Sequence, residues 1–150
     1  GQGRTVDFKN TIIIMTSTLG SEYILENKSE ANDLVMLELK KTFKPEFINR
    51  IDEIIIFKSL TREVISDIID KVISDIEYRL KDKNIHLKLT VQAKEYILDS
   101  SYDEKYGARP IKRFIQRHVE TLIAKAIIED KIKFDSTITI DLEENHLTIK

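Results

Sequence analysis

Cysteine and tryptophan are absent from the 150 residues, and the chain has only two prolines and four glycines. Without thiols, a disulfide-stapled module, a cysteine-ligated zinc ribbon and a cysteine nucleophile are all excluded. Long apolar runs are missing too. The stretches at 12–15 and 54–57 are four residues each, strand-sized and far short of the ~20 residues that cross a bilayer. No membrane association is therefore expected. Nor is there an excess of one charge: 24 basic and 26 acidic side chains leave a formal charge of -2. Nucleic-acid binding rests on clustered positive excess, so the balance speaks against a nucleic-acid partner.

What is present is a 41% hydrophobic, 33% charged chain, apolar enough to support a packed core and too apolar for disorder. Its length suits one domain or two small ones. It opens Gly1-Gln2-Gly3 without a methionine, which reads as a piece of something longer with no targeting segment in view.

Two kinds of segment follow one another. Residues 11–16 (Thr-Ile-Ile-Ile-Met-Thr) and 51–57, with Ile54-Ile55-Ile56 at their centre, are apolar runs without alternation. Such runs predict strands buried on both faces, as in a parallel sheet covered by helices. Residues 5–8 suit a short extended piece. Helices are expected at 21–26 and 30–43, and Pro45 ends the second and opens one short turn over 45–49. From residue 58 the pattern is self-contained. Thr61 caps a long helix to about residue 83, with Val64, Ile65, Ile68, Ile69, Val72, Ile73, Ile76 and Leu80 in one stripe. A strand at 86–90, a helix at 91–98, a loop at 100–106 and a helix at 110–130 follow. Strands at 137–143 and 146–149 around Glu144-Asn145 make a hairpin. The expected fold is an α/β fragment with parallel-sheet strands over residues 1–57, followed by an α+β unit over 58–150.

Three spots could carry chemistry. In Gly107-Ala108-Arg109-Pro110, a proline near a helix start leaves backbone N–H groups and the positive dipole end beside Arg109. Either the guanidinium grips an anion there with its two-pronged fork, or it is a solvated residue at an ordinary helix start. Lys112, Arg113 and Arg117 continue along the same helix as a solvated face. Arg50 stands between a one-turn helix and an apolar run, so it either pairs with a carboxylate such as Asp52 or projects outward to a partner. Thr16-Ser17-Thr18 closes the first apolar run. These hydroxyls either end a strand or orient a ligand at its carboxyl end. His86, His118 and His146 share no ligand-like spacing, so no metal site is expected. No GxxxxGK[ST] or GxGxxG phosphate loop and no Gx-Ser-xG elbow is present. As a free-standing enzyme the chain is incomplete.

Taken together, Gly1-Gln2-Gly3-Arg4-Thr5-Val6-Asp7-Phe8, Ile14-Met15-Thr16-Ser17, Phe43-Lys44-Pro45-Glu46-Phe47-Ile48-Asn49-Arg50-Ile51-Asp52-Glu53 and Tyr106-Gly107-Ala108-Arg109-Pro110-Ile111-Lys112-Arg113 resemble the second ATPase module of the Clp family of AAA+ unfoldases. The match runs in order along essentially the whole chain. The resemblance implies residues 1–57 as the end of the large ATPase subdomain and 58–150 as the small C-terminal subdomain. It also implies roles. Arg50 matches the arginine finger, which acts on ATP held by a neighbouring subunit of a homo-hexamer. Arg109, with Gly107 and Ala108 before it, matches sensor 2, which contacts nucleotide in the same subunit. Thr18 stands where sensor 1 is usually asparagine.

ATP and magnesium would be held mainly by Walker A and Walker B segments upstream, so these 150 residues alone are expected to be inactive. The partners implied are unfolded or aggregated polypeptides and a co-chaperone. The compartment implied is the cytoplasm in a bacterium, or an organelle matrix or stroma otherwise. Family members that feed a peptidase carry a glycine-centred apolar tripeptide between sensor 1 and the finger. Residues 27–39 contain no glycine, so the resemblance favours a disaggregating chaperone over a protease ATPase. A pure oligomerisation module is the remaining alternative.

Overall fold

The computed structural model describes residues 3–103 and 106–150. The chain divides into two compact units, Gly1–Ile56 and Phe57–Lys150.

The first unit is helical. Helix α1 (Ser21–Leu25) packs on α2 (Ala31–Thr42), and α3 (Pro45–Ile48) is a single turn. The α1–α2 contact is close because Gly20, at φ +69° before α1, has no side chain. A Cβ there would lie 2.9 Å from Val35 Cγ2. Val35, 7% exposed, is the buried hydrophobic residue of this unit among those described.

The two apolar runs depart from expectation. Residues 11–16 and 51–57 form no strand, and neither does 5–8. Ile12 is 92% exposed and Phe57 82%. A strand exists only through a hydrogen-bonded neighbour, because each unpaired backbone N–H and C=O must find another partner. Among the described residues these two runs pair neither with each other nor with any third. Apolar pattern was therefore necessary for strand formation and not sufficient.

The second unit is the α+β arrangement the pattern predicts. Helix α4 (Arg62–Arg79) starts where the Thr61 hydroxyl accepts the Val64 N–H at 3.3 Å. It buries Ile65, Ile69, Ile73 and Ile76, while Val64, at the margin of the predicted stripe, stays exposed. A 3-10 turn (Lys81–Lys83) and Asn84 at φ 50° lead into β1 (Ile85–Leu89). Helix α5 (Val91–Ser101) is capped by Thr90, whose hydroxyl accepts the Ala93 N–H at 3.2 Å. It runs three residues past its expected end. Of the loop expected at 100–106, residues 104 and 105 lie outside those described.

The helix expected at 110–130 is three joined pieces: α6 (Arg109–Ile115), a π turn (Gln116–Glu120) and α7 (Thr121–Ile128). The π turn keeps Val119 fully buried between Ile115 and Ile123. Strands β2 (Ser136–Glu143) and β3 (His146–Ile149) form the expected hairpin, with Leu142 opposite Leu147. Glu144 and Asn145 both adopt positive φ, as a two-residue turn with the twist of the strands demands. The sheet order is β1-β2-β3, with β1 parallel to β2 and Leu87 opposite Ile138. This parallel pair is joined by the whole α5–α7 crossover, the kind of long connection parallel pairing requires.

The core lies where α4, α5 and α6 meet the sheet. Ile65, Ile69, Ile85, Ile97, Ile111, Ile115, Val119 and Ile140 are its largest fully buried members. In β1, buried Ile85 and Leu87 alternate with exposed His86 and Lys88, so one face of the strand is packed and the other solvated.

Candidate functional site

The Arg109 corner is built by backbone first. After α5, the Asp103 carbonyl accepts the Gly107 N–H at 3.1 Å and its carboxylate accepts the Tyr106 N–H at 3.2 Å. Gly107 turns at φ +63°, and a Cβ there would meet nothing nearer than Leu60 Cδ1 at 3.8 Å. The glycine is thus needed for its left-handed backbone, not for space. Ala108 is the N-cap, Arg109 the first residue of α6, and Pro110 follows within the first turn, where its missing N–H breaks no helix bond.

Among the described residues no side chain caps this helix start, in contrast to the threonine caps of α4 and α5. Buried Ile111 and Ile115 anchor one face of α6, leaving Arg109, Lys112, Arg113 and Arg117 exposed. Among the described residues none of these four cations makes an ion pair. Elsewhere in the unit Arg62, Arg79, Lys94 and Lys150 each hold a carboxylate. Uncapped N–H groups beside a free guanidinium are chemically suited to an anion.

Arg50 sits at the end of a stiff corner. Phe43 (φ -108°, ψ 146°) and Lys44 (φ -65°, ψ 145°) are extended, as the residue before a proline must be. Within and after α3, the Asn49 N–H reaches the Pro45 carbonyl at 2.9 Å. The Arg50 N–H reaches that of Phe47 at 3.1 Å, and the Ile51 N–H that of Ile48 at 3.1 Å. The Arg50 side chain is exposed, and so is Asp52. Among the described residues no ion pair joins them. Of the two readings open for Arg50 in the sequence, the pair with Asp52 is not formed among the described residues.

Thr18 is exposed and lies outside any strand. Its carbonyl accepts the Ser21 N–H at 3.2 Å, opening the turn into α1, and the Ser17 hydroxyl accepts the Leu19 N–H at 3.1 Å. Gly107, Ala108 and Arg109 are therefore gathered at one helix start in the second unit. Thr18 and Arg50 belong to separate segments of the first.

The three histidines stay in separate surroundings. His86 Nδ1 is 2.9 Å from Glu77, His118 stacks on Phe114 with centroids 4.2 Å apart, and His146 Nδ1 is 2.8 Å from the Glu144 carbonyl. Among the described residues no cluster of histidine and carboxylate side chains could hold a metal ion, and no helix is long and apolar enough to cross a membrane. Electrostatic perturbations at Asp141 and Glu77 serve the fold. Lys150, the Thr90 hydroxyl and the Leu142 N–H together hold the Asp141 carboxyl down at about 2. The His86 ring and then the Leu87 N–H hold Glu77 below the usual glutamate range.

One feature at the Arg50 corner escaped the sequence reading. The rings of Phe43 and Phe47 stack, with centroids 5.1 Å apart and planes at 29°. Their spacing of four across Pro45 was the available signal.

Residues 60–140, more than half of the chain, match the family described as the C-terminal, D2-small domain of ClpB protein. Residues 1–54 match an AAA domain of the Cdc48 subfamily. The fold and the two matches define the class, an AAA+ module of the Clp type. Within that class, the chain belongs to the family of the ClpB D2-small domain. It is 47% identical to the chaperone protein ClpB of Bacillus anthracis, an alignment covering 99% of this chain and 18% of that protein. To the chaperone protein ClpB of Clostridium perfringens it is 51% identical, over 93% of this chain and 17% of that one. Among solved structures it resembles Hsp104 in a closed-state cryo-EM reconstruction with ATPγS and FITC casein. There the TM-score is 0.81 and the identity 34%, over 100% of this chain and 27% of that one. The chain thus spans about 18% of the length of the curated relative it matches.

Proposed function

We propose that these residues are the C-terminal part of an ATP-driven disaggregating chaperone, working as a homo-hexamer, and that they bring two arginines to nucleotide. In this reading residues 1–57 end the large ATPase subdomain and residues 58–150 form the small one. Arg50 is the arginine finger, placed in trans against the γ-phosphate of ATP bound by a neighbouring subunit. There its fixed charge offsets the negative charge that develops as the phosphoryl group is transferred. Arg109 is sensor 2, reaching nucleotide in its own subunit together with the uncapped N–H groups after Gly107 and Ala108. Thr18 takes the sensor 1 position, where its hydroxyl orients the attacking water. ATP and magnesium are held mainly by parts of the protein other than these residues.

One observation carries the reading. Arg50 and Arg109 are each fixed by backbone at the end of an element, each exposed, and each without an ion pair among the described residues. A buried or paired arginine would be satisfied where it stands. The whole protein would act on unfolded or aggregated polypeptide, with a co-chaperone, in the cytoplasm if its source is a bacterium and in an organelle matrix or stroma otherwise. The missing glycine-centred tripeptide argues against a peptidase partner.

Substitution in the full-length parent tests the two roles separately. Arg109→Ala weakens nucleotide binding as well as turnover. Arg50→Ala leaves binding intact and removes turnover. If Arg50→Ala instead disperses the ring while leaving subunits folded, these residues serve as an assembly module.

A further inference from the structure

Phe47 is joined to two things at once. Its carbonyl accepts the Arg50 N–H at 3.1 Å, and its ring stacks on Phe43 at 5.1 Å. Phe43 in turn is fixed to the end of α2, where its N–H reaches the Leu39 carbonyl at 3.0 Å. Between the two rings lies the extended Lys44-Pro45 corner, tied to α3 by the Lys44 carbonyl, which accepts the Phe47 and Ile48 N–H groups at 3.0 and 3.2 Å, and by the Pro45 carbonyl, which accepts that of Asn49 at 2.9 Å. Pro45 fixes one torsion of that corner. Lys44 is held extended by the proline after it, which leaves the torsions of Phe43 as the hinge that could swing the one-turn helix relative to α2.

Ring stacking removes that freedom, and offset stacked rings prefer a defined mutual geometry. The pair is not a core contact in this chain. Phe47 is 42% exposed, and the buried hydrophobic residue of the unit among those described is Val35, on the α1 side of α2.

We propose that the Phe43–Phe47 stack is a positioning device that aims Arg50, with Phe47 acting through the guanidinium rather than on nucleotide. The inference rests on the arginine-finger reading of Arg50. A misaimed finger still allows ATP to bind, because nucleotide is held elsewhere, but withholds charge from the transition state. The signature is a loss confined to kcat.

The test uses the full-length parent. Phe47→Ala lowers turnover at saturating ATP about tenfold to a hundredfold, the cost of misplacing a catalytic group by about 1 Å. KM for ATP and the hexamer are unchanged. Phe47→Tyr, which keeps the stacked ring, retains most of the turnover. Phe43→Leu, which keeps bulk and loses the ring, falls in the same direction by less and serves where Phe47→Ala fails to fold. Arg50→Ala is the reference. If it abolishes turnover while Phe47→Ala and Phe43→Leu leave kcat unchanged, or raise KM or break the ring, the positioning role is overturned and the finger stands. If Arg50→Ala itself leaves turnover intact, the finger reading fails and the inference goes with it.

Discussion

Two glycines at helix starts share a left-handed backbone and differ in what surrounds them. At Gly20 an added Cβ would meet both the side chain and the backbone of Val35, at 2.9 and 3.1 Å; at Gly107 it would meet only Leu60, at 3.8 Å. Gly107→Ala therefore costs the left-handed penalty alone, about 1–2 kcal/mol. Gly20→Ala adds overpacking and costs about 2–4 kcal/mol. Hydrogen-exchange protection of α2 amides reads the first unit and urea unfolding the second; equal losses would contradict this. Asp141 gives a pH prediction. Its folded pKa of about 2 lies below the ordinary 3.8, so ionised Asp141 favours the folded state. That contribution is fully present above the ordinary value and is lost as pH falls from about 4 towards about 2. Asp141→Asn removes it, so urea midpoints of the variant fall less steeply than those of the parent sequence across that window. Parallel curves would show that the carboxylate is not the group responsible.

Helix starts were the most legible elements, because a cap is a local event. Thr61 was read as one, and its hydroxyl accepts the Val64 N–H. Thr90, read only as the end of a strand, does the same for Ala93 and also donates to Asp141 at 2.7 Å. Thr61→Ala is expected to cost about 0.5–2 kcal/mol of the second unit's stability. Thr90→Ala costs more, since it strips Asp141 of a donor as well. Urea unfolding of the two variants decides the order. The hairpin was legible for a similar reason: Glu144-Asn145 supplies the turn between two alternating runs. The π turn was not, because its single widened turn leaves the apolar spacing from Ile115 through Val119 to Ile123 looking α-helical. The β1–β2 pairing was not legible either. Nothing in residues 85–89 names a partner some fifty positions away, such as Ile138 opposite Leu87.

At the scale of the molecule, the second unit could be foreseen because its apolar stripes meet one another within the unit. The first could be foreseen only in its helices. Ile12 to Met15 and Ile54 to Phe57 carry strand composition, but pairing partners decide strands, and among the described residues they have none. The local turns that carry the two candidate arginines were legible in sequence, through Pro45 before Arg50 and through Gly107 and Pro110 around Arg109. The Phe43–Phe47 stack was not legible, because a spacing of four across a proline does not fix how two rings meet. The role proposed for Arg50 is to supply charge to a phosphate held by a neighbouring subunit. It is tested by ATP turnover of the full-length Arg50→Ala protein, measured on material shown by sedimentation to be hexameric. The expected outcome is intact hexamers that bind ATP and turn it over about 10³-fold or more below the parent rate. Intact, nucleotide-loaded hexamers with parental turnover would contradict it.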